Sequence, residues 1–216
     1  SLMASGSAIL SSLFGDKKAF SQIELTGVSL PLEALGGLLG AKVKGDRFSV
    51  GRVSAKELKL VGPLAFPPLE GDLSFGSDGS VTGATVRGPD SLFGKITPKG
   101  DAFDFDLTAN SFSLPIAPDV SLSGFAMKGS ASREQMRIDS WGGGTLDGAV
   151  SGTATVRWGG SWNIDGVVTV RGINAAVFAP ALLSDGRAEG TGRFSLNGPD
   201  PTKFLDSGRI EGTFSV

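Results

Sequence analysis

The sequence predicts a mainly β chain, an extended, curved antiparallel sheet (a half-barrel or β-taco-like meander) with a few short helices. Three observations lead there. From about Arg47 to the end, apolar and polar residues alternate with period two; turn-forming clusters interrupt the alternation at short intervals; and no helical stretch of ten to fifteen residues separates the runs. Glycine fits the same picture. It makes up 33 of 216 residues, roughly twice its usual share, and without a strict three-residue period it marks a chain that turns often.

The elements follow in chain order. In Ala55-Lys56-Glu57-Leu58-Lys59-Leu60 the leucines share one face and lysines the other. Phe103-Asp104-Phe105-Asp106-Leu107 alternates apolar with acidic side chains without a break. Val156 and Trp158 alternate with Thr155 and Arg157, Ile164 stands between Asn163 and Asp165, and Phe194 and Leu196 are flanked by Arg193, Ser195 and Asn197. Ile210, Phe214 and Val216 share a face, with Glu211, Thr213 and Ser215 opposite. One greasy and one wet face is the pattern of an antiparallel sheet. Ser77-Asp78-Gly79-Ser80, Pro98-Lys99-Gly100-Asp101, Leu146-Asp147-Gly148 and Trp158-Gly159-Gly160-Ser161 supply the Asx turns and positive-φ positions of tight hairpins.

Helix is expected only in short pieces: Met3 to Phe14, ended by Gly15; Pro31 to Leu35, with Pro at a first helical position; and single turns over Asn174–Leu183 and Pro201–Leu205. Three stretches near residues 27, 172 and 198 repeat one layout of strand, apolar helical turn and strand. Residues 1–45 therefore read as an N-terminal helical or irregular segment with a first strand, possibly in the same sheet. Residues 46–216 read as one antiparallel β domain. The opening Ser1-Leu2-Met3 has the look of a cloning remnant, so a longer native chain is expected.

Composition narrows the chemistry. The chain has no histidine, cysteine or tyrosine, which excludes imidazole and thiol catalysis, disulfides and Cys- or His-ligated metals. Twenty basic and 22 acidic residues give a net charge of −2 without a basic run, which speaks against nucleic acid. Mean hydropathy is +0.10, greasy for a small β protein, so apolar surface must be buried or used. No run approaches the length of a membrane-spanning helix, and no secretory leader is visible.

Asp104 and Asp106 point to one strand face about 7 Å apart, within the range of glycosidase carboxylates. A solvated face explains them better, since no aromatic platform accompanies them. A serine nucleophile would need a lysine base, and no Ser-x-x-Lys occurs. Gly142-Gly143-Gly144 lacks the Lys-Ser/Thr of a phosphate loop and reads as a bulge or tight turn. Ser77-Asp78-Gly79 lacks the further acidic ligands of a calcium loop. No enzyme, cofactor or metal is expected.

One stretch has a more specific signature. "MRIDSWGGGTLDGAVSGTATVRWGGSWNIDGVVTVRGINAAVFAPAL" and "GRAEGTGRFSLNGPDPTKFLDSGRIEGTFSV" combine four features. These are a Gly-Gly-x-Leu-x-Gly step (Gly143 to Gly148), a Trp-x-Ile-x-Gly hairpin strand (Trp162 to Gly166), a Gly-x-x-x-Gly-x-Gly strand (Gly186 to Gly192), and a closing x-Gly-x-Phe-x-Val strand. From about Ser111 to Val216 the chain resembles the C-terminal region of the AsmA-like proteins of Gram-negative bacteria. The resemblance implies a periplasmic β-structure with an apolar trough, held to the inner membrane by an anchor absent from this chain. It further implies a role in outer-membrane biogenesis, binding or conducting glycerophospholipid, with envelope proteins as possible partners. The alternative is a non-catalytic structural or interaction domain that supports envelope assembly without carrying lipid. On the first reading the groove candidates are Phe103, Phe105, Leu107, Val156, Trp158, Ile164, Val168, Val170, Phe194, Leu196, Ile210 and Phe214; on the second they are ordinary core.

Overall fold

A computed structural model describes residues 18–20, 22–31, 48–61, 66–114, 117–159, 161–174, 186–199 and 208–215. Among these residues every regular element is a strand. The short strands β1 (Lys18–Phe20), β2 (Ile23–Thr26), β3 (Ser29–Pro31) and β4 (Phe48–Val50) come first. They are followed by β5 (Arg52–Val61), β6 (Leu69–Phe75), β7 (Val81–Arg87), β8 (Phe93–Lys99) and β9 (Ala102–Leu114). The long strands β10 (Ala117–Ala131), β11 (Gln135–Thr145), β12 (Gly148–Arg157), β13 (Trp162–Asn174), β14 (Arg187–Gly198) and β15 (Arg209–Ser215) complete the chain. The expected helix over Met3–Phe14, most of Pro31–Leu35 and Asn174–Leu183, and the turn over Pro201–Leu205 lie outside the described residues. Pro31 and Asn174 themselves end strands.

The chain packs as two compact units, Ser1–Phe105 and Asp106–Val216, with β9 running from the first into the second. In the first unit the strand order is β2-β5-β6-β7-β8, antiparallel from β5 to β8, with β9 next in the chain. β2 and β3 lie parallel to β5 along one margin, so strands from the segment before residue 46 pair with the β domain. A separate parallel pair joins β1 to β4. Gly27, at φ +68°, interrupts the β2–β3 line where β5 carries its bulge at Glu57, φ +54°. That bulge adds a residue to β5, which keeps Leu58 and Leu60 half-buried while Lys56 and Lys59 stay exposed.

The wet face of the first unit is organised by Asp72. Its Oδ1 accepts from the Ser54 hydroxyl at 2.6 Å and pairs with the Arg52 guanidinium at 2.8 Å. Its Oδ2 pairs with Arg87 at 3.0 Å. The Ser54 hydrogen bond, aided by the two guanidinium groups, holds the Asp72 carboxyl below its ordinary value against the opposing effect of burial, which outweighs the hydrogen bond of either arginine alone. Because the folded value is depressed, this stabilisation is complete above the unfolded carboxyl pKa and fades as pH falls through the folded one. Asp72→Asn should therefore lower the urea midpoint at pH 7. The gap between variant and parent should close below about pH 4, the region of an unperturbed Asp.

The second unit is an antiparallel meander in the order β9-β10-β11-β12-β13-β14-β15. The turns read from the sequence stand between strands, while those joining β7 to β8, with positive φ at Asp90 and Ser91, and β10 to β11 were not among them. In the first unit Gly79 and Gly100 have φ of +77° and +63°, and Asp78 Oδ1 accepts from the Ser80 amide at 3.1 Å. Between β11 and β12 the two-residue turn Leu146-Asp147 has φ of +49° and +62°, the type I′ geometry. Leucine is a poor residue there, since its Cβ crowds the carbonyl in the left-handed region. The turn is held by its neighbours: the Asn174 amide donates to the Leu146 carbonyl at 2.9 Å, and Arg187 Nη1 donates to the Asp147 carbonyl at 3.1 Å. Leu146→Asn should keep that geometry and raise stability by about 1 kcal/mol, read as a higher thermal midpoint.

Candidate functional site: a one-layer apolar face

Register through the second unit sorts its side chains into two faces. Met136↔Val156↔Ile164↔Leu196 form one row and Ile138↔Ala154↔Gly166↔Phe194 the next. A third row is Trp141↔Gly152↔Val168↔Gly192. All three rows are apolar. Ala154, Ile164 and Leu196 are buried, and Ile138, Val156, Trp162 and Phe194 pack against them half-buried. This cluster comes from four successive strands of one sheet and from one face. Among the described residues it is built of cross-strand neighbours and not of two facing layers.

Two aromatic rings lie over glycines directly opposite them. A Cβ built on Gly166 would stand 2.5 Å from Phe194 Cζ, and one built on Gly152 would stand 2.9 Å from Trp141 Nε1. Glycine is required because a Cβ would run into a backbone carbonyl oxygen of the neighbouring strand, Thr153 O at Gly166 and Val167 O at Gly152, with the ring filling the space beside it. The rings therefore recline along the sheet. At the end of the rows Trp158 and Trp162 have ring centroids 6.2 Å apart, and Trp158 Nε1 donates to the Arg133 carbonyl at 2.7 Å. Farther along β10, Phe125 stacks on Phe112 at 4.4 Å beside Leu122.

The opposite face is polar. Arg157 pairs with Asp165 at 3.2 Å, and the Ser195 hydroxyl donates to the other Asp165 oxygen at 2.8 Å. Thr169 and Thr191 share a hydrogen bond at 3.1 Å. A shallow depression lies on this face, lined by Val167, Thr191, Arg193, Glu211 and Thr213. It holds no buried polar group, since all four polar side chains are exposed or border on solvent. The two β9 carboxylates also point to solvent. Asp104 pairs with Lys99 at 3.2 Å and Asp106 with Lys128 at 2.9 Å, each with about half of its side chain accessible. Among the described residues no three carboxylates gather as a metal site would need.

Of the predicted groove residues, Val156, Ile164, Val168, Val170, Phe194 and Leu196 share the apolar face, and Trp158 continues it just beyond β12. Ile164 and Leu196 are its buried floor; the other five are half-buried. On β9, Phe105 is buried and Phe103 half-buried, both in the first unit, while Leu107 is half-buried in the second. Ile210 and Phe214 stand in register with Phe194 and Gly190, but their side chains lie outside the described ones. Sequence alternation missed Met136, Ile138 and Trp141, which complete the face on β11. The signal was present in "MRIDSWG", where Met136 and Ile138 alternate with polar residues before a bulge shifts the phase for Trp141. Comparison with protein-family models, curated proteins and solved structures finds nothing that matches the chain.

Proposed function

We propose that this chain is the periplasmic part of an inner-membrane-anchored, AsmA-like protein of outer-membrane biogenesis, and that it binds or conducts glycerophospholipid along the apolar face of β11–β14. The location and the anchor rest on the sequence resemblance. The lipid rests on one observation: an apolar face, one side chain deep among the described residues, whose Trp141, Val156, Val168, Val170 and Phe194 are half-buried beside the buried Ala154, Ile164 and Leu196. A face of this kind offers an acyl chain apolar contact worth roughly 0.8 kcal/mol per buried methylene. It offers no charged group with which to do chemistry, so the proposed role is non-catalytic.

The test is mass spectrometry of lipid extracted from protein purified without detergent, beside Val168→Asp and an unrelated β protein handled identically. The reading expects near-stoichiometric phospholipid in the parent and its loss in Val168→Asp, with the β-type far-UV spectrum kept. A parent no richer in lipid than the control protein sinks it. Unfolding of Val168→Asp would make Val168 part of a closed core and remove it from any groove.

A further inference from the structure

In the first unit residues 18–31 run beside residues 48–61 in one unvarying step. The pairs fall in three runs: Lys18↔Phe48 to Phe20↔Val50, Ile23↔Val53 to Thr26↔Lys56, and Ser29↔Lys59 to Pro31↔Val61. Every pair is parallel and thirty residues apart. A constant step belongs to any smooth parallel ladder, but this ladder is not smooth. Gly27, at φ +68°, and Glu57, at φ +54°, are also thirty apart, so both strands pass through the left-handed region at the same rung. On its other side β5 loses register with β6 at that kink, between Ala55 and Leu58. The kinks at Gly124 on β10 and Gly172 on β13 cost the same slip against β11 and β14. Between residues 18–31 and 48–61 no register is lost. The backbone bonds close around the shared kink: the Gly27 amide donates to the Lys56 carbonyl at 3.0 Å, and the Lys59 amide to the Val28 carbonyl at 2.8 Å. The apolar spacing repeats with the backbone. Ile23, Leu25, Val28 and Leu30 match Val53, Ala55, Leu58 and Leu60, each set stepping two, three and two residues.

We infer that residues 18–31 and 48–61 are two copies of one kinked-strand unit, and that the paired kinks lock their parallel register. Runs of three, four and three residues hold a register weakly by themselves. A slip of two residues keeps each side chain on its own face, so apolar alternation does not forbid it. The ion pair across the seam, Lys56 to Glu24 at 2.8 Å, is exposed at both ends and adds little. The kink does forbid it. A slip would set Gly27 beside Ala55 or Lys59, leaving each left-handed residue opposite an extended one and breaking both backbone bonds at the kink. Glycine meets the left-handed requirement freely in the first copy, and glutamate meets it with strain in the second.

The chain has no cysteine, so two introduced thiols report the register alone. Ser29→Cys with Lys59→Cys places them on one rung, within the Cα range of a disulfide. Ser29→Cys with Val61→Cys places them about 8 Å apart, outside it. In a glutathione buffer the first pair should close at least about tenfold faster than the second. A Cβ at Gly27 meets nothing within 4 Å, so a substitution there acts through backbone preference and not through a clash. Gly27→Asn, which tolerates the left-handed region, should keep the tenfold preference. Gly27→Val, which does not, should cut it below about threefold or abolish the on-rung link. Should Gly27→Val unfold the sheet by circular dichroism, Gly27→Ala carries the same comparison. Glu57→Gly should keep the preference and raise the thermal midpoint by about 2–4 °C. A preference that survives Gly27→Val intact overturns the lock, and so does one lost equally in Gly27→Asn. A Glu57→Gly chain no more stable than the parent overturns the equivalence of the two kinks.

Discussion

Gly166→Ala should cost about 2–4 kcal/mol, although it adds only one methyl group. Alanine ordinarily suits a strand at least as well as glycine, so propensity alone predicts a neutral or stabilising change. The geometry reverses the sign. The new Cβ would collide with the Thr153 carbonyl oxygen of β12 on one side and with Phe194 Cζ and Cε1, at 2.5 and 2.7 Å, on the other. A ring can swing away; a carbonyl held in the β12–β13 ladder can move only by breaking register. For a chain of this size the cost corresponds to a thermal midpoint lower by roughly 5–15 °C. A double variant apportions the clash. If the ring were the main obstacle, Gly166→Ala in a Phe194→Ala background would cost almost nothing further. The carbonyl is expected to dominate, so the double variant should remain less stable than Phe194→Ala alone.

Much of this face can be read from period-two alternation, and where the phase itself is lost the cause is a bulge. Val156, Ile164, Val168, Val170, Phe194 and Leu196 lie on stretches of β12, β13 and β14 whose register is unbroken, and there alternation assigns the face correctly. Trp141, Phe125 and Ile173 follow bulges, whereas Met136 and Ile138 lie before the one on β11 in plain alternation. β11 gains an extra residue at Asp139-Ser140, so Ile138 and Trp141, of opposite parity in sequence, share one face. At Gly124, φ +56°, β10 does the same for Leu122 and Phe125. At Gly172, φ +62°, β13 does it for Val170 and Ile173, and Ile173 becomes one of the buried residues. Two of these bulges leave only a glycine in the sequence, the one at Asp139-Ser140 not even that, and this chain has glycines in most strands. The parallel attachment of β2 and β3 to β5 was invisible for another reason: strands of three or four residues are too short to show a period.

Leu122→Ala carries the other large effect, a loss of about 3–4 kcal/mol. Leu122 is fully buried, with 0 % of its surface accessible, while Val168 on the same unit is half-open. Removing three carbons from Leu122 forfeits their transfer free energy and leaves a cavity. The backbone cannot easily close it, because the Gly143 position on β11 already approaches Leu122 Cβ to within the reach of a methyl group. Val168→Ala removes two carbons from a site that solvent already reaches, so about 1 kcal/mol is expected there. The ratio of the two losses is therefore a measure of how the apolar face is built. A floor that is closed at Leu122 and open at Val168 makes the first urea-derived loss about three to four times the second. Equal losses would mean that Val168 is sealed as tightly as Leu122, and that the face has no room for an acyl chain at the one position chosen to expel it.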